Sequence, residues 1–243
     1  FRMYRARQAA KYMSEGDNIL DIGCGNGRFL MHVSKYGKFN IYGTEMPGNS
    51  AERAKRVEGI NIKIEQIDYY DFPNKTFQVI TMFHVFEHLA EPKKTLDIIS
   101  NIIKDNGYLI VSFPNIDSLQ AKMFKGKWLH LDPPRHLFFF KPDDFKDIMD
   151  DYGFTTIKTS FFSIEQNPFG FQQSLLNAIF HKREVLFEYL KGNTNYVKDY
   201  SRLNLIAQKL FAQTTLPLFV ISDLVASLLD KGATVQFVMK KTK

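Results

Sequence analysis

The chain has 243 residues, 44% hydrophobic and 24% charged, with a formal net charge of +6. That length supports one sizeable core with an elaboration. Its single cysteine, Cys24, excludes an internal disulfide, a thiolate zinc site and a cysteine-ligated iron–sulfur cluster, and makes a reducing, cytoplasmic setting the expectation. No run approaches the roughly 20 apolar residues of a membrane span, and no apolar h-region of a signal peptide follows the basic start. The charge is concentrated at the ends. Residues 1–11 carry Arg2, Arg5, Arg7 and Lys11 with no acid, and residues 234–243 carry Lys240, Lys241 and Lys243. The body between them sums to −1, which argues against a broad nucleic-acid surface. Phenylalanine is uneven too, with 11 of 23 inside residues 113–171.

In chain order, β-branched runs predict strands at Asn18–Ile22, Phe39–Glu45, Ile60–Ile67, Phe77–Phe83 and Tyr108–Phe113. Helical patterns lie between them at 27–36, 50–58 and 92–104, the alternation of a parallel α/β sheet. Pro92 suits a first helical turn, and Asn106-Gly107 suits the turn that ends that helix. Residues 114–141 read as a loop-rich aromatic stretch, followed by a helix from Pro142 to Tyr152 ended by Gly153. Strands are expected again at Phe154–Phe162 and Thr234–Lys240. About seventy residues separate these two, with helical periodicity near 172–190, 196–212 and 216–230, and read as a helical insertion.

The segment Ile19-Leu20-Asp21-Ile22-Gly23-Cys24-Gly25-Asn26-Gly27-Arg28 is the most informative. A buried strand enters a glycine turn and then an amphipathic helix, which brings backbone N–H groups and a helix N-terminus to a ligand. A dinucleotide fingerprint would place glycine where Arg28 stands. The G-x-G-x-G run, with Asp21 before it and Glu45 ending the second strand, resembles class I methyltransferases that use S-adenosylmethionine. The resemblance implies a doubly wound, mostly parallel seven-stranded Rossmann-like sheet, with the helical insertion before the last strand. It divides a single 1–243 domain into a cofactor half (15–113), a substrate-side loop, helix and strand (114–163), the insertion (164–233) and a last strand with basic tail (234–243).

Carried over by residue, Glu45 matches the carboxylate that accepts from both ribose hydroxyls, and Asp68 the acid near the adenine amino group. Gly23, Gly25 and Gly27 line the methionine and ribose side, with Asp21 near the ammonium. Gln78 stands where the family usually has Asp.

His84, His88, His130 and His136 follow the fourth and fifth strands, where this fold receives its acceptor. Met82-Phe83-His84-Val85-Phe86-Glu87-His88 resembles the family's segment after strand four, with His84 bordering the methionine moiety. Trp128-Leu129-His130-Leu131-Asp132-Pro133-Pro134-Arg135-His136 resembles a loop of a bacterial subgroup related to quinone-precursor O-methyltransferases. This likeness covers about residues 15–165. His88 and His136, backed by His130, are the candidate general bases, because imidazole titrates near neutral pH. Each also has a plain packing role as its alternative. The Asp132-Pro133-Pro134-Arg135 string ends in Arg and follows strand five, so the D-P-P-aromatic motif of DNA amino-methyltransferases is not carried over. His84 and His88 have helical zinc spacing, but Glu87 is misplaced for H-E-x-x-H, and no metal is expected.

The expected activity is methyl transfer to a small-molecule, sugar or lipid-linked acceptor, at oxygen in the first instance, leaving S-adenosylhomocysteine. The alternatives are an RNA methyltransferase and a non-catalytic cofactor-binding partner protein. The apolar run Leu216–Leu229 is read as packing over the substrate cleft or in a homodimer, or as peripheral contact with the inner face of a membrane to reach a lipid-linked acceptor.

Overall fold

The computed structural model describes residues 1–242, so Lys243 of the basic tail lies outside it. In chain order the elements begin α1 (Arg2–Ala10), β1 (Asn18–Ile22), α2 (Arg28–Val33), β2 (Asn40–Thr44), α3 (Asn49–Ala54), β3 (Ile60–Lys63), β4 (Phe77–Phe83), α4 (Pro92–Ile102) and β5 (Ile103–Pro114). They continue with α5 (Leu119–Phe124), α6 (Pro142–Asp151), β6 (Phe154–Ser160), α7 (Asn167–Ile179), α8 (Val185–Leu190), α9 (Thr194–Val197), α10 (Arg202–Leu228) and β7 (Thr234–Lys241).

These elements form two compact units. The first contains Phe1–Phe113, Asp143–Thr159 and the described residues from Gln236 on; the second contains Pro114–Pro142 and Ser160–Val235.

The first unit is built on a seven-stranded sheet of order β3-β2-β1-β4-β5-β7-β6. The pairings β3/β2, β2/β1, β1/β4 and β4/β5 are all parallel. Its central strands are near-continuous apolar runs because both faces are covered. Ile19, Val79 and Ile110 share one cluster with Leu30 and Val33 of α2. Ala6 and Ala9 of α1 join that cluster, small side chains that let the helix approach closely. The first eleven residues, expected only as a basic end, are therefore mostly a packed helix. Asn106-Gly107 does not end α4. Asn106 adopts a left-handed φ of 62° inside β5, near an irregular register between β4 and β5.

The second unit is helical. Trp128, Phe124 and Ala121 pack with Phe171 and Leu175, and Val185, Val197 and Leu205 make a smaller cluster. The aromatic stretch holds the short helix α5, capped where Ser118 Oγ accepts from the Ala121 N–H at 3.0 Å. The expected helix 172–190 is interrupted. α7 ends at Ile179, and α8 begins after Glu184, which sits at φ 57° and donates its N–H to Asn177 Oδ1 at 2.7 Å.

The two helices expected around 196–212 and 216–230 are instead one, α10, 27 residues long with Pro217 inside it. Proline removes one N–H and crowds the preceding turn. Pro217 is exposed, so water can satisfy the carbonyl left behind, and α10 packs against α7 and α8 on its other side. This also corrects the expectation about apolar length: α10 is long and apolar enough, by length and composition, to cross a membrane.

Candidate functional site

Strand order reverses between β1 and β4, and in an open parallel sheet the crevice forms beyond the strand ends at such a point. Each neighbouring strand delivers a candidate residue at the first position past its end. Ile22 leads to Gly23, Thr44 to Glu45 and Phe83 to His84. A cleft of about 480 Å³ opens there, lined by Gly23, Gly25, Glu45, Ile67, His84 and His88 among others.

The glycine loop is tied to β2, since the N–H groups of Gly23 and Cys24 both donate to the Thr44 carbonyl at 2.9 Å. Gly23 cannot be replaced without strain. Its φ is 72°, and a Cβ there would lie 2.4 Å from Val85 Cγ2. The Glu45 carboxylate is held at the cleft wall by the Gly25 N–H, which donates to Oε2 at 2.6 Å. His84 is fixed through its backbone N–H, which donates to the Ser112 carbonyl at 2.8 Å. Its Nδ1 lies 3.4 Å from Oε1 of the buried Glu87. His88 is exposed on the same wall.

Asp21 sits deeper. It is 3% exposed and accepts a hydrogen bond from the Thr81 hydroxyl at 2.6 Å. Burial pushes its carboxyl up to about 7, while Thr81 and Arg5 pull the other way. With Gly23, Gly25, Asn26, Arg2 and Arg5 it lines a second cavity of about 320 Å³. Arg2 and Arg5 come from α1, and Arg5 lies over the Phe83 ring at 4.7 Å. The sequence reading missed both arginines and Thr81. The signal was present as bases at i and i+3, which place two side chains on one helix face. Cys24, in the same wall, is held at about 12 by burial, so it is a thiol and not a nucleophile near neutral pH.

Two expected residues are placed differently from the cleft wall. Gly27, at φ 73°, starts α2 and faces α3, where a Cβ would meet Val57 and Ala54 at 3.3–3.5 Å. Asp68 lies beyond Ile67, exposed and paired with Lys94 at 3.3 Å, and its carboxyl is lowered by the Tyr69 N–H and by Lys94.

His130 and His136 belong to the second unit. The His136 Nδ1–H donates to the His130 carbonyl at 2.7 Å. A carbonyl can only accept, so Nδ1 carries the proton and Nε2 is the basic nitrogen of the neutral ring. Arg135 is bound to Asp132 Oδ1 through Nη2 at 2.7 Å. His130 is 8% exposed, edge-on to Trp128, and packed where a Cβ on Gly170 would lie 2.5 Å from its Nε2.

The first unit's cleft fits a cationic nucleoside. A fixed carboxylate at the end of β2 offers acceptors for vicinal hydroxyls, glycines allow close backbone approach, and Ile67, Leu89 and Met46 give apolar wall for a purine.

Residues 2–159 match the family described as "Methyltransferase domain". The chain is 27% identical over 116 residues to the mitochondrial ubiquinone biosynthesis O-methyltransferase of Dictyostelium discoideum, covering 42% of this chain and 36% of that protein. It spans less than half the length of the first curated relatives it matches. Among solved structures it resembles a phosphoethanolamine N-methyltransferase of Haemonchus contortus bound to S-adenosylmethionine (TM-score 0.60, 13% identity, 99% of this chain and 53% of that one). It also resembles an S-adenosylmethionine-dependent methyltransferase of Thermotoga maritima (TM-score 0.56, 16% identity, 100% and 90%). The matched residues, the sheet order and the glycine–carboxylate cleft agree: the chain belongs to the methyltransferase domain family, in its class I, S-adenosylmethionine-dependent form.

Proposed function

We propose that this protein transfers a methyl group from S-adenosylmethionine to an oxygen of a small-molecule or lipid-linked acceptor, with a quinone-precursor phenol as the first to test. The observation that carries the reading is Glu45, Gly23, Gly25, His84 and His88 on one cleft at the strand-order switch. The choice of oxygen is supported by the name of the Dictyostelium relative.

Glu45 would hold the ribose hydroxyls, while Ile67 and Met46 flank the base. Asp21 and Arg5 lie on the wall of the smaller cavity and would hold the ammonium and carboxylate of the methionine end, Asp21 as an acceptor that becomes a full anion only above about 7 in the unliganded chain. When bound, the cofactor supplies an electrophilic methyl on a sulfonium, already a good leaving group. What remains for the chain is to align the acceptor, exclude water and remove one proton.

His88, exposed on the cleft wall, is assigned as the base that takes the hydroxyl proton. Glu87 is buried beside His84, with its Oε1 3.4 Å from that ring's Nδ1. His136 is the second candidate because its Nδ1–H is committed to the His130 carbonyl, which directs proton uptake to Nε2. His130 backs that arrangement.

The test is transfer of a labelled methyl group to a panel of phenols, carboxylic acids and amines. Label on phenolic oxygen is the expected result, and label on nitrogen alone would overturn the oxygen assignment. His88→Ala should lower kcat by roughly 100-fold or more with cofactor affinity unchanged. Full turnover by both His88→Ala and His136→Ala would remove the base assignment.

A further inference from the structure

The long helix of the second unit is amphipathic in the reverse sense. Its buried side carries Gln208 and Asp223 beside Leu205 and Phe219. Asp223 accepts from Asn167 Nδ2 at 2.8 Å and the Ser163 N–H at 3.3 Å, and Gln172 Nε2 donates to the Ala212 carbonyl and to Thr215. The outward side carries Leu203 (80% exposed), Leu210, Leu218, Ile221, Val225 and Leu228 (85%). Their spacings of 7, 8, 3, 4 and 3 keep them on one stripe at 3.6 residues per turn. A stripe of this extent is larger than the scattered apolar residues of an ordinary surface.

The charge on the helix selects the occupant. Asp223 is its only acid and is 3% exposed, whereas Arg202 and Lys209 are exposed and sit on one flank of the stripe. Basic residues bordering an apolar face suit an anionic lipid surface, where their stems follow the apolar layer and their heads meet phosphate. Self-association is disfavoured by area. A 27-residue helix is about 40 Å long and about 10 Å wide, so two such faces bury about 800 Å², below the ~1,200 Å² of stable interfaces. Crossing the bilayer is disfavoured by the bonds from α7, which occupy the opposite side of α10 along much of its length.

We propose that the exposed face of α10 lies in the plane of an anionic phospholipid bilayer and binds this protein peripherally to it. The stripe enters the acyl boundary, and Arg202 and Lys209 stay at headgroup level.

The experiment is co-sedimentation of the whole chain with phosphatidylcholine vesicles, with and without phosphatidylglycerol. Wild type should bind the anionic vesicles more tightly. The double variant Ile221→Glu/Leu228→Glu should lose at least roughly tenfold in vesicle affinity, with circular dichroism and cofactor binding unchanged. Arg202→Glu/Lys209→Glu should lower affinity for anionic vesicles only. An Ile221→Trp probe should shift its emission to the blue when anionic vesicles are added. The proposal is overturned if wild type fails to bind either vesicle, or if the glutamate variant binds as well as wild type. It is equally overturned if ultracentrifugation shows a dimer that the glutamate variant dissolves while vesicles bind neither protein.

Discussion

Among the described residues, the sheet-bearing unit exposes nine large apolar side chains, whereas the smaller helical unit exposes eighteen. Their interiors differ in the same direction. The first unit buries Ile19, Leu20, Val79, Ile80, Leu109 and Val111 in a sheet covered on both faces. In the second, α7 buries Asn167, Gln172, Gln173, Ser174 and Asn177. A polar interior is stable only when its groups are bonded, and these are: Asn167 alone reaches the Phe161 carbonyl, Asp223 and Thr234. The first unit spends its apolar residues on its own core and keeps polar groups at the strand ends for a charged ligand. The second combines the apolar clusters around Trp128 and Val185 with a bonded polar face on α7, and leaves apolar surface outward. A fold arranged in this way has surface to offer a partner.

The largest expected effect would test the ligand side of this contrast. Glu45→Ala removes acceptors from the cleft wall and should weaken cofactor binding by roughly 100-fold, read by titration calorimetry. Unchanged affinity would mean that the cleft is not the cofactor site. Next, Asn167→Ala removes three bonds from the polar interior and should lower stability by about 2–4 kcal/mol in chemical denaturation. A stabilised variant would show that the second unit relies on apolar packing after all.

The pH dependence separates the units more finely. Burial raises Asp21 from 3.8 to about 7 in the first unit, and Asp223 from 3.8 to about 6 in the second. In both cases the folded state retains a proton that the unfolded chain has released, so stability falls as pH rises through each window. Asp21→Asn should flatten the decline between about 4 and 7, and Asp223→Asn the part below about 6, as read from denaturation midpoints against pH. A slope unchanged by either substitution would place the decline elsewhere. The smallest effect belongs to the exposed Lys75–Asp105 pair at 2.7 Å, where Lys75→Ala should change stability by less than about 1 kcal/mol.

Much of the sheet was legible because its signals are local. Strand, glycine turn and helix follow one another between Asn18 and Val33, and the residue after each strand end is placed by the strand itself. The sheet order and the parallel pairings agree with the expected doubly wound fold. Boundaries were less legible. β3 stops at Lys63, although the apolar pattern runs to the buried Ile67. The helical region was legible as helix but not in its joints. Pro217 reads as a break from local propensity, yet packing on α7 carries α10 through it. The four charged or titratable residues from His181 to Glu184 give no breaker signal, yet α7 and α8 separate there.

The sequence by itself indicated the cofactor class through a resemblance: Gly23, Gly25 and Gly27 with the acids at positions 21 and 45 are similar to the class I methyltransferase motif, which is local enough to be recognised in a short stretch of chain. Tertiary structure decided the rest. It brought Arg2 and Arg5 to the cavity beside Asp21, buried the polar face of α7, and turned the Leu–Ile stripe of α10 outward. Those outcomes depend on which surfaces meet, and residues far apart in the chain specify that only once the elements have packed.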